Sequence, residues 1–137
     1  MGFRNGSIGA ALSVVLLVGG CSQSTAPELD LLDGRWLWVD ATGGIAGMTI
    51  TPASVGYTMT VEYSSQPGGP ALFRVLRDGQ LFSETTVERF GELKGTLRYR
   101  DPVLGWPEQE FELRGADTLL LVDGCCDGFA YRFERGE

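Results

Sequence analysis

The sequence predicts an all-β protein, a small eight-stranded antiparallel up-and-down barrel, and three observations carry that expectation. Apolar and polar residues alternate with a period of two through much of residues 29–137, and no stretch there sustains a helical period. Turn residues cut the same region into eight short runs. The turns are tight, the clearest being Asp78-Gly79, a strong two-residue hairpin signal. Eight short strands joined this way close into a barrel that leaves no exposed edge. A seven- or eight-stranded β-sandwich is the alternative.

Leu29–Asp33 reads as a short helical turn. The first strand, about Arg35–Thr42, places Trp36 and Trp38 on one face. The second, Val55–Tyr63, alternates most clearly, with Tyr57, Met59, Val61 and Tyr63 against Thr58, Thr60 and Glu62. A Ser-Ser-Gln-Pro-Gly-Gly-Pro turn precedes Leu72–Arg77, and Asp78-Gly79 leads into a run within Gln80–Phe90. Thr96–Arg100 follows the Gly91–Gly95 turn, and a Pro102–Pro107 loop precedes Glu108–Arg114. Thr118–Val122 is almost continuously apolar. In the last strand Phe129, Tyr131, Phe133 and Arg135 share a face, with Ala130, Arg132 and Glu134 on the other.

Ahead of this domain, residues 1–20 read as an export leader. Arg4 and the α-amino group supply positive charge, and Ile8–Val18 form an apolar stretch of 11 residues. About 20 would be needed to span a bilayer, so the stretch fits a signal-peptide core. Leu17-Val18-Gly19-Gly20-Cys21 resembles the bacterial lipobox. That resemblance implies cleavage before Cys21, lipidation of its thiol and attachment to a membrane through the acyl chains. Residues 21–28 then form the lipidated cysteine and a flexible polar tether, and residues 29–137 the barrel domain. Ser22 follows the cysteine, where an Asp would suggest inner-membrane retention. The expected address is therefore the cell envelope, the outer membrane facing the periplasm rather than the inner membrane.

Composition narrows the function. The formal net charge is −7; without Arg4 the remaining chain carries 10 basic and 18 acidic residues, a net −8. Such a surface repels phosphate backbones, so no nucleic-acid partner is expected. The chain has no histidine, which removes the commonest general base, the commonest zinc ligand and the usual nucleophile pairs. No catalytic residue, metal or cofactor is expected, and the chain does not read as an enzyme. Glu108, Glu110 and Glu112 share one strand face without an opposing carboxylate, as a solvated outer face would.

Gly34-Arg35-Trp36 resembles the Gly-x-Trp signature of lipocalins. In that family the tryptophan closes one barrel end beneath a basic side chain from the last strand, so the resemblance implies that Trp36 and Arg135 form such a pair. The wider pattern resembles the lipocalin-like domains of bacterial lipoproteins, many of uncharacterised function. It comprises Leu32-x-Gly34-x-Trp36-x-Trp38, Gly43–Gly47, Thr51-Pro52, and Asp127-Gly128-Phe129-x-Tyr131 ending at Arg135.

Two readings of function follow. In the first, a small apolar or amphipathic molecule is bound by a pocket whose candidate lining is Trp38, Tyr57, Tyr63, Phe73, Tyr99, Phe111, Phe129, Tyr131 and Phe133. In the second, the same aromatics fill the barrel and the domain contacts an envelope protein, through an exposed apolar patch around Val103, Leu104 and Trp106. Cys125 and Cys126, adjacent in a turn, are a candidate redox pair, as free thiols or as a strained vicinal disulfide.

Overall fold

The computed structural model describes residues 30–137 together with Gly20; the rest of the expected leader, Cys21 and the tether lie outside the described residues. Nine strands and one short helix follow in the order β1 (Gly34–Gly43), β2 (Met48–Ile50), α1 (Pro52–Val55), β3 (Met59–Gln66), β4 (Gly69–Arg77), β5 (Gln80–Phe90), β6 (Lys94–Val103), β7 (Trp106–Arg114), β8 (Thr118–Asp123) and β9 (Phe129–Arg135). From β3 to β9 each strand pairs antiparallel with the next, β3 pairs with β1, and β9 pairs back on β1. The result is a closed eight-stranded antiparallel barrel rather than a sandwich. The small β2 is an addition: it pairs with Ala41–Gly43, on the β1 edge whose first half, Gly34–Leu37, takes β3.

Three local differences from the sequence expectation have physical causes. Residues 55–58 are not strand, because a local helix start wins there. The Thr51 hydroxyl accepts from Ser54 N at 3.2 Å, the Ser54 hydroxyl accepts from Thr51 N at 2.8 Å, and Pro52 occupies the first turn. Tyr57 therefore lies in the connection before β3. The expected Pro102–Pro107 loop contracts to a two-residue turn, Leu104 and Gly105, both at positive φ. Pro102 and Pro107 are tolerated because the β6–β7 register skips from Arg98–Glu108 to Val103–Trp106, where no ladder donor is needed. Finally, β2 is only three residues long, too short for any periodicity to reveal.

Alternation sets which side chains point inward. Trp36 and Trp38 do so on β1; a register shift between Trp38 and Asp40 then hands the inward position to Ala41. Val61, Phe73, Val75, Val87, Leu97, Phe111, Leu119, Leu121 and Phe133 fill the middle and are almost wholly buried. Each such side chain contributes about 1.5–3 kcal/mol on burial. Across the closing seam Gly43 lies against β9 so closely that a Cβ there would come within 2.2 Å of the Gly128 carbonyl oxygen. The barrel has an entry end, with the Asp30–Asp33 turn and the β3–β4, β5–β6 and β7–β8 turns. Its far end carries the β1–β3 connection and the β4–β5, β6–β7 and β8–β9 turns.

Candidate functional site

At the entry end, Trp36 and Arg135 are directly opposed residues of β1 and β9. The guanidinium carbon lies 4.1 Å from the centroid of the indole ring. Arg135 also donates to three backbone carbonyls: Asp33 at 2.9 Å, Leu31 at 2.5 Å and Ala116 at 2.7 Å. The Trp36 indole N–H donates to the Leu32 carbonyl at 3.0 Å. Together they pin the Asp30–Asp33 turn across the barrel and hold Leu32 inside. Gly34 between them has φ 128°, and a Cβ there would stand 3.0 Å from an Arg135 nitrogen, which accounts for glycine at that point. Arg132 faces the other way and pairs with Asp40 and Glu134.

The expected lining residues separate by height along the barrel. Phe73, Phe111 and Phe133 belong to the filled middle, and Phe73 packs edge-on against Tyr99 at 5.1 Å. Tyr63 sits toward the entry end. Trp38, Tyr57, Phe129 and Tyr131 gather toward the far end, where Tyr57 stacks on Trp38 at 6.2 Å and Phe129 lies 6.2 Å from Tyr131.

Polar groups that the sequence reading passed over join them. The Tyr99 hydroxyl donates to Gln109 Oε1 at 2.9 Å, Gln109 Nε2 donates to Asp123 Oδ1 at 2.7 Å, and Phe129 N donates to Asp123 Oδ2 at 3.0 Å. Tyr99, Gln109 and Asp123 are all buried. A signal for Gln109 and Asp123 was present: each has the parity of the buried apolar residues on its strand.

Arg77 completes this end. Its guanidinium lies between two rings, 4.6 Å from the centroid of Tyr57 and 3.7 Å from that of Phe82. Among the described residues no carboxylate forms an ion pair with it. Among the described residues, two buried N–H groups here have no acceptor, Trp38 Nε1 and Arg77 Nε, and both belong to side chains that stack on Tyr57. A buried donor left unpaired costs about 1–3 kcal/mol.

Two tyrosines here, Tyr99 and Tyr131, resist ionisation. Burial raises the Tyr99 phenol above its ordinary value and the Asp123 charge adds to the effect. Tyr131 is pushed up to about 12, by burial first and Asp123 second. Both folded-state values exceed those of the unfolded chain. Their contribution to stability is therefore fully present below about pH 10, the ordinary phenol value, and falls as pH rises toward 12. Denaturant melts between neutral pH and pH 12 should show this loss, with a shallower fall in Tyr99→Phe; equal slopes for the two proteins would refute the assignment.

A cleft of about 500 Å³ opens at the entry end. Its floor is Tyr63, Ala71 and Val87, and its walls include Asp30, Arg89 and Phe90. Arg89 is ion-paired to Asp30. Of the expected lining residues, only Tyr63 reaches this cleft. The apolar patch expected around Val103, Leu104 and Trp106 does not form: Val103 is fully buried and the other two are half-buried, because the contracted turn folds them against the barrel. Glu108, Glu110 and Glu112 face outward, with Glu108 paired to Arg98 and Glu112 to Arg114.

Cys125 and Cys126 are exposed free thiols whose sulfurs lie 2.9 Å apart. The hydrogen bond with Cys126 lowers the Cys125 thiol pKa. Adjacent cysteines close almost no loop, so a bridge would restrict the unfolded chain little. Changing both to Ser is expected to cost less than about 1.5 kcal/mol, and a loss of several kcal/mol in denaturant melts would show a structural role. Among the described residues no group of three or more Cys, His, Asp or Glu side chains is arranged to hold a metal. Comparison with family models, curated proteins and solved structures finds no match.

Proposed function

We propose that the protein is a lipid-anchored envelope lipoprotein whose lipocalin-like barrel holds a small amphipathic molecule in its far mouth. The observation that carries this reading is the pair of buried, unpaired donors on Trp38 and Arg77 around the Tyr57 ring. An acceptor-bearing head, such as a carboxylate, would satisfy both donors, and its apolar body would lie on Trp38, Tyr57, Phe129 and Tyr131. With the middle of the barrel filled, the ligand enters only the mouth, so it is small. The Gly34–Trp36 signature and the Trp36–Arg135 stack support the family resemblance, and the Gly20-Cys21 sequence after an apolar leader supports the anchor.

Native mass spectrometry of the full chain purified from its own host membranes tests the reading. The expected spectrum shows a polypeptide beginning at Cys21 with acyl mass on that residue, plus a small molecule that is lost in Arg77→Ala. A ligand-free spectrum for the unsubstituted chain would overturn the binding assignment, and an unacylated Cys21 would overturn the anchor.

A second reading, contact with an envelope protein, is favoured by one feature of the same end. Ile45 is 91% exposed and Met48 is 56% exposed in the β1–β2 hairpin, an apolar tip suited to a protein partner.

A further inference from the structure

Among the described residues the entry end carries three large exposed apolar side chains: Leu31, Phe90 and Leu93, each about half exposed (52%, 49% and 55%). They are neighbours through Arg89. Its guanidinium pairs with Asp30 in the turn that carries Leu31 and donates to the carbonyls of Gly91 at 2.7 Å and Glu92 at 2.9 Å in the turn that carries Leu93. Phe90 forms the wall of the cleft beside them.

Charges at this end are mixed: Asp30, Asp33, Glu92, Asp117 and Glu137 stand with Arg89, Lys94, Arg114 and Arg135. The β3–β4 turn is Pro67-Gly68, without charge; the β5–β6 turn and its flank balance Glu92 with Lys94; and the β7–β8 turn balances Arg114 with Asp117. At the far end Asp78 lies next to Arg77, and Asp127 has no neighbouring basic residue. A zwitterionic lipid surface carries no net charge, so the net charge of −7 does not oppose contact through this end.

Position supplies the occupant. The domain begins at Asp30, beside Leu31, and Cys21 lies nine residues earlier, a reach of roughly 30 Å when fully extended. We propose that the entry end rests on the bilayer, with Leu31, Phe90 and Leu93 inserted among zwitterionic headgroups and the far mouth turned away from the membrane. This inference rests on the lipid anchor at Cys21 proposed above.

The test uses the full chain, produced in its host and reconstituted into phosphatidylethanolamine–phosphatidylcholine vesicles. One variant is Leu93→Trp at the entry end; the control is Ile45→Trp at the far end. Both positions are exposed, so neither change disturbs the core. Lipids brominated near the headgroup should quench most of the emission added by Leu93→Trp and leave that added by Ile45→Trp unchanged. Vesicle-bound protein with equal quenching at both positions, or with none, would overturn the membrane-facing end while leaving the anchor intact. A chain that does not float with the vesicles and carries no acyl group would overturn both.

Discussion

Trp36→Ala is expected to lower the unfolding free energy by about 3–5 kcal/mol, the usual cost of deleting a large buried aromatic. Trp36 has no exposed surface, and its loss removes the bed of the Arg135 guanidinium as well as the hydrogen bond to the Leu32 carbonyl. Arg135→Ala should cost about 2 kcal/mol, since charged donors are lost from three carbonyls but the site is partly solvated. The two changes act on one assembly, the pinned Asp30–Asp33 turn, so their combined effect should fall well short of the sum. Arg132→Ala, on the outer face and paired with Asp40, should add to Trp36→Ala without coupling. Urea melts of the single and double variants provide the measurement. Additive costs for Trp36 and Arg135 would show that the stack contributes no coupling, and with it would go the main structural support for the lipocalin resemblance.

Asp123→Ala carries the second large effect, about 2–6 kcal/mol, because it strands two donors at about 1–3 kcal/mol each. Gln109 Nε2 and Phe129 N both end on this carboxylate, and Gln109 is 1% exposed. Asp123→Asn should cost less, since one oxygen still accepts. Gln109→Leu in the Asp123→Ala background should recover part of the loss, as removing both partners leaves fewer buried groups unpaired. Melts of these variants decide the matter. A cost below about 1 kcal/mol for Asp123→Ala would mean that water replaces the carboxylate, so the Tyr99–Gln109–Asp123 chain would not be what orders the mouth.

Much of this architecture was legible in residue order alone. Period-two alternation and turn residues together found the eight barrel strands, and Asp78-Gly79 marked its hairpin; both turn residues have positive φ, as that turn type requires. Parity separated Arg135 from Arg132 before any coordinate was known, because opposite parity on a strand means opposite faces. The same rule placed the nine candidate aromatics toward the interior, yet could not say which of them fill it and which edge a mouth.

That division follows from height along the barrel axis, which is set by strand tilt and by the register of every pairing around the closure. Register arises between strands distant in sequence, as in the pairing of Trp36 with Arg135 across the seam. Local alternation was also silent about β2 and α1. One is too short to show a period, and the other is set by a Thr51–Ser54 capping box that competes with the strand pattern.

The sequence by itself thus determined the fold class, the eight barrel strands and the inward-facing aromatics. Only the tertiary structure decided that Phe73, Phe111 and Phe133 are core, that Tyr99, Gln109 and Asp123 join inside the barrel, and that Trp38 and Arg77 meet at Tyr57 with donors to spare. Side-chain direction is a local property of the backbone. Which side chains meet is a property of closure, and closure is fixed by all eight strands together.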